Sequence, residues 1–134
     1  MTFASPNHDP FYTLLSTSLQ DLRGALAFSL TDRRGDIIAQ ATTGQTDDAP
    51  TEDELSVMHV YGQLAYQQAP ARLSEVVVER GPRRWQSKRL IVDDDLYDLW
   101  IVCKTDVINS ATSIEVSRKL SQLEGKLTSL LRGE

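Results

Sequence analysis

The sequence predicts an α+β protein in the order α-β-β-α-β-β-β-α, its five strands forming one antiparallel sheet. Three observations carry this. Between residues 73 and 105, LSEVVVER, RRWQSKRLIV and LYDLWIVCKT follow one another, broken only by Gly81-Pro82 and by Asp93-Asp94-Asp95. Their Val, Ile, Trp and Tyr content suits strands and the two breaks suit turns. A second pair, GALAFSLT and IIAQA, brackets Asp32-Arg33-Arg34-Gly35-Asp36, a turn with glycine at the left-handed position. Helical spacing with start signals occupies the three remaining segments.

The first helix starts at Asp9-Pro10, a side-chain cap followed by proline at the first helical position. Phe11, Leu14, Leu15, Ser18, Leu19 and Leu22 recur at three and four, giving one apolar stripe that ends before Gly24. Residues 1–9 form a flexible arm ahead of a single domain over 10–134. TTGQTDDAP, residues 42–50, has nothing to anchor it and reads as an exposed loop.

Thr51-Glu52-Asp53-Glu54 has capping-box spacing, so a second helix runs from there to about Ala69, with Pro70 marking its end. On a helical wheel Leu55, Met58, Gly62, Ala65, Tyr66 and Ala69 share a face whose small residues, Gly62, Ala65 and Ala69, suit close packing on the sheet. Val57, Val60, Tyr61 and Leu64 form an adjoining face. Only Ser56, His59, Gln63 and Gln67 make a polar side. An apolar arc this wide exceeds what one sheet can cover, so the Val57 to Leu64 face is expected to meet another chain, the alternative being cover by the first helix or a loop. The third helix starts at Asn109 or at Thr112, where Thr112-Ser113-Ile114-Glu115 repeats the capping-box spacing. Its stripe is Val116, Leu120, Leu123, Leu127 and Leu130; Gly125 in its middle has no reason visible in the sequence. The expected sheet core is Phe28, Leu30, Val77, Leu90, Leu99, Ile101 and Cys103.

With 134 residues the chain can bury a core without disulfides or metals, and 40% hydrophobic and 25% charged residues are ordinary for a globular protein. A net charge of -5 argues against nucleic acid or an anionic membrane as partner. No basic start precedes an apolar core, and no apolar run approaches the roughly 18 residues of a membrane span, which places the protein in the cytoplasm. Cys103, the single cysteine, sits in LWIVC and reads as a buried apolar residue.

No catalytic constellation stands out. His8 and His59 have no neighbouring nucleophile motif and no metal-ligand spacing, and His59 reads as a solvated helical residue. Asp93-Asp94-Asp95 lacks the alternation, glycine and terminal glutamate of a calcium loop. No glycine-rich phosphate loop is present, so no nucleotide cofactor is expected. Arg80, Arg83, Arg84, Lys88 and Arg89, interleaved with Trp85, read as a solvated edge hairpin rather than a nucleic-acid site. Asp47, Asp48, Glu52, Asp53 and Glu54 cluster around a helix start that already favours carboxylates. Asp53 there, with Arg33 and Arg34 at a hairpin tip, are the candidate partner contacts.

The element order, with Leu22, Gly24-Ala25, Asp32, Gly35 and Ile38-Ala39 in LQDLRGALAFSLTDRRGDIIAQA, resembles the roadblock/dynein light chain family over residues 10–131. The resemblance implies helices on both faces of the five-stranded sheet, in profilin-like layers. It also implies a non-catalytic homodimer that binds a small Ras-like GTPase and in some bacterial members stimulates its hydrolysis. The second helix and the first strand of the meander would then meet their symmetry mates, through Val57, Val60, Tyr61, Leu64, Val76 and Val78. Glu75 and Glu79 on that strand oppose edge pairing. The alternative is a PAS-like or profilin-like sensory domain with a small-molecule pocket between sheet and helices, and an acidic secretion chaperone is a third reading.

Overall fold

The computed structural model describes residues 9–43, 50–68, 75–107 and 109–133. The N-terminal arm through His8, the 44–49 part of the loop, the Ala69-Pro70 helix end and the strand start at Leu73 lie outside them. The chain order is α1 (Pro10–Gln20), β1 (Ala25–Asp32), β2 (Ile37–Thr42), α2 (Glu52–Gln68), β3 (Glu75–Arg80), β4 (Arg83–Val92), β5 (Asp95–Lys104), a turn of 3-10 helix (Thr105–Val107) and α3 (Ser110–Leu131). The strands form one antiparallel sheet, as expected, and their order across it is β2-β1-β5-β4-β3.

Each turn follows from its residues. Asp32 Oδ1 accepts from the backbone N–H groups of Arg34 and Asp36, and Gly35 takes φ +89. Gly81-Pro82 closes β3 on β4 with two residues, glycine first at φ +61. Asp93 and Asp94 both have positive φ, 51 and 73, the requirement of a tight turn whose twist matches the strands. The third aspartate, Asp95, already pairs with Val92.

The sheet separates two cores. On one side α1 and α3 cover Phe28, Leu30, Ala39, Leu90, Leu99, Ile101 and Cys103 with Leu15, Leu19, Val116, Leu120, Leu123 and Leu127. On the other, α2 lays Leu55 and Met58 over Ala27, Trp85, Trp100 and Val102. The helices therefore lie on both faces, and burying large apolar residues on each side is the main source of stability.

Two expectations are corrected, and the choice of start for α3 is resolved in favour of Asn109. Val77 is not core but 47% exposed, because β3 is the sheet edge and α3 covers β4 rather than β3; its neighbour Val76 is the buried one. The cap of α3 is Asn109 with Thr112, each side chain accepting from the other's backbone N–H, so Thr112 is the third helical residue and not the cap. The basic hairpin is no solvated edge, since β4 is an inner strand. Arg83 meets Glu54, Arg84 donates to Ser113 Oγ, Lys88 meets Glu124 and Arg89 meets Asp98.

Candidate self-association surface

The second helix is built as its sequence implies. Glu54 N–H donates to Thr51 Oγ1 and Thr51 N–H donates to Glu54 Oε1, closing the capping box. Leu55, Met58, Gly62 and Tyr66 face the sheet, all buried. Gly62 permits this approach: a Cβ there would lie 3.3 Å from Trp100 Cζ2.

Under α2 lies a polar cluster that sequence reasoning missed. Asp98 is 2% exposed, and Arg89 reaches it with Nε at 3.1 Å and Nη2 at 3.4 Å. The same guanidinium stacks 4.0 Å from the centre of the Tyr66 ring, and the Tyr66 hydroxyl bonds Ser87 Oγ at 2.9 Å. Burial pushes the Tyr66 phenol up to about 12, against the opposing pull of Ser87. His59 is not the solvated residue expected. Its side chain is 16% exposed, Nδ1 lies 3.9 Å from Asp98 Oδ2, and its ring backs onto Gly35. The signal available in the sequence was Asp98 itself, a carboxylate inside the apolar LYDLWIV, which requires a buried cation.

This cluster and the packing contacts fix how α2 is rotated. His59 points towards the Gly35 turn, whereas Glu54 meets Arg83 and Val57 shares a cleft with Arg80, Gly81, Pro82 and Trp85. The outward face is apolar: Val60 is 55%, Tyr61 49% and Leu64 53% exposed, with Val57 half-buried. By helical geometry Val57 and Tyr61 lie on the flank towards β3, with Val60 and Leu64 on the crest.

Next to this flank, β3 pairs with β4 on one side only, leaving its other edge without a strand among the described residues. Val76 and Val78 point to the α2 side, opposite Ser87 and Trp85. Val76 is buried within the chain and Val78 packs on the α2 core. Arg33 and Arg34 are exposed on the 32–36 turn. Asp53, also exposed, lines the cleft with Val57 and Arg80 on the other flank of α2, so the three candidate partner contacts do not converge.

Burial pushes the Cys103 thiol up to about 11, the direction that makes it inert. No group of three metal-ligating side chains occurs among the described residues, and no described helix is long and apolar enough to cross a membrane.

No family model matches the chain, and no curated protein matches it. Solved structures do. The gliding protein MglB of Thermus thermophilus superposes with a TM-score of 0.66 over 92% of each chain at 16% identity. MglB of Myxococcus xanthus gives 0.63 over 97% of this chain and 96% of that one at 18% identity. A roadblock/LC7 domain from Streptomyces avermitilis gives 0.59 over 86% of this chain and 95% of that one at 12% identity. At such identities the likeness speaks for the fold alone, and the chain has the roadblock/LC7 fold.

Proposed function

We propose that the protein is a cytoplasmic, non-catalytic homodimer, one domain over residues 10–134, that binds a small Ras-like GTPase and modulates its GTP hydrolysis. One observation carries the dimer. The exposed Val60, Tyr61 and Leu64 of α2, with half-buried Val57, lie beside the β3 edge that no described strand covers, so one apolar surface and one row of backbone groups without a strand partner among the described residues adjoin. A second copy related by a twofold satisfies both at once. The GTPase reading is supported by the roadblock resemblance and by a fold shared with the gliding protein MglB of Thermus thermophilus and with MglB of Myxococcus xanthus. Against the small-molecule alternative, the space between sheet and α2 is filled by Met58, Trp85, Trp100 and Tyr66, each 3% exposed or less.

Light scattering at micromolar concentration is expected to give about twice the 15.0 kDa chain mass. Leu64→Glu should shift it towards one, since a carboxylate buried without a partner is strongly penalised. An unaffected dimer would place the contact elsewhere. A pull-down from native cytoplasm, with the nucleotide on any captured GTPase recorded, tests the partner. GTP turnover by the purified chain alone would overturn the non-catalytic reading.

A further inference from the structure

The exposed edge strand reads Glu75-Val76-Val77-Val78-Glu79, the same in both directions about Val77. An antiparallel pairing of two copies reads one strand against its own reverse, so this symmetry selects a register. Val76 and Val78 face α2, opposite Ser87 and Trp85, whereas Glu75, Val77 and Glu79 share the α3 face with Lys88, Gln86 and Arg84. A twofold normal to the sheet keeps each face in place. A residue can then oppose only a copy residue on its own face, which leaves Val76, Val77 or Val78 on the axis for any extensive overlap.

Backbone direction decides among them. Arg80 and Arg83 flank a two-residue turn and exchange both hydrogen bonds, so Glu79, Val77 and Glu75 turn their N–H and C=O groups to the open edge. With Val77 on the axis, three reciprocal pairs form within β3, Val77 on its own copy and Glu75 on the partner's Glu79 twice over. An axis at Val76 or Val78 leaves two such pairs and sets Glu75 or Glu79 against the partner's Val77. The Val78 axis also sets Arg80 against buried Val76.

Resting on the dimer reading above, we infer that the β3 strands pair about Val77 and that the opposed Glu75 and Glu79 carboxylates hold the dimer affinity down. The strand makes its full set of bonds and matches valine to valine, and like charges stand directly across the interface. Lys88 beside Glu75 and Arg84 beside Glu79 in each copy offset part of the repulsion, which keeps the register viable. The dimer is thereby one that can separate and re-form rather than a permanent pair.

The test is a double-mutant cycle on the full chain, measuring the dimer dissociation constant by sedimentation at about 0.15 M salt, where charges further apart than about 8 Å are screened. Glu75→Gln and Glu79→Gln should each tighten the dimer about fivefold, roughly 1 kcal/mol over two opposed pairs. The double variant should add nothing further, because either change alone removes both repulsive pairs. Effects that multiply, or no effect from either, would overturn the register while leaving the dimer standing. A wild type that stays monomeric would overturn both. As an independent check, mixing isotope-labelled with unlabelled protein should give intermolecular contacts between Val77 methyl groups, and their absence from a confirmed dimer would overturn the pairing.

Discussion

Gly62 lies so close to Trp100 that any side chain at that helical position would press on the indole. A Cβ would fall 3.3 Å from Cζ2, and the ring has little room to yield, being 1% exposed and edge-on to Trp85 at 6.3 Å and 78°.

This contact predicts different outcomes at two helical glycines. Gly125→Ala should stabilise the protein by roughly 1 kcal/mol, because a Cβ there meets nothing within 4 Å and alanine removes the cost of glycine in a helix. Gly62→Ala should lose that gain to the indole contact, and Gly62→Val should destabilise by roughly 2 kcal/mol through overpacking. Urea midpoints at constant slope read all three. Equal stabilisation at both sites would mean that Trp100 moves freely.

The inward face of α2 was legible because Leu55, Met58, Gly62 and Tyr66 follow helical spacing, and all four are buried. The turns were legible because glycine and aspartate carry the positive φ angles. Which valine of β3 faces inward was not, since three consecutive valines show no alternation and burial depends on where α3 ends its cover. The Arg89 and Asp98 pair was hidden for a related reason. The two residues oppose each other only because Asp93 and Asp94 alone make the turn and Asp95 already pairs with Val92, whereas the sequence reads as a break of three aspartates, which would shift the register. His59 then looked solvated because its cover, Gly35, comes from a turn distant in sequence. For the surface, the apolar arc was legible, whereas the separation of Asp53 from Arg33 and Arg34 follows from how α2 is rotated on the sheet, which the sequence does not encode locally.

Alkaline pH should destabilise the fold through two buried acids. Burial raises the Cys103 thiol from 9.0 to about 11 and the Tyr66 phenol from 10.0 to about 12. Over that range the unfolded chain has released protons that the folded chain retains, so stability is intact below about pH 9 and falls as pH climbs to about 12. Cys103→Ala should flatten the lower part of the decline and Tyr66→Phe the upper part, in chemical denaturation followed against pH. A wild-type profile that is level from pH 9 to 12 would contradict the burial of both groups.

Arg33 and Arg34 offer the last test, of how the dimer would act on a GTPase. Their turn is fixed by Asp32, whose Oδ1 accepts from two backbone N–H groups, while both arginine side chains stand exposed at its tip. An arginine supplied in trans must reach the transferring phosphoryl group and is worth about 10³ to 10⁵ in rate. Positive charge at an exposed turn can instead steer an acidic partner, an effect on association that salt removes. The roadblock resemblance favours action through the GTPase's own residues. Arg33→Ala/Arg34→Ala should therefore slow complex formation at low salt and leave the hydrolysis rate of the saturated complex unchanged. Single-turnover hydrolysis with the partner in excess separates the two. A fall of about 100-fold or more at saturation would make this turn the source of a trans arginine and reverse the non-catalytic assignment.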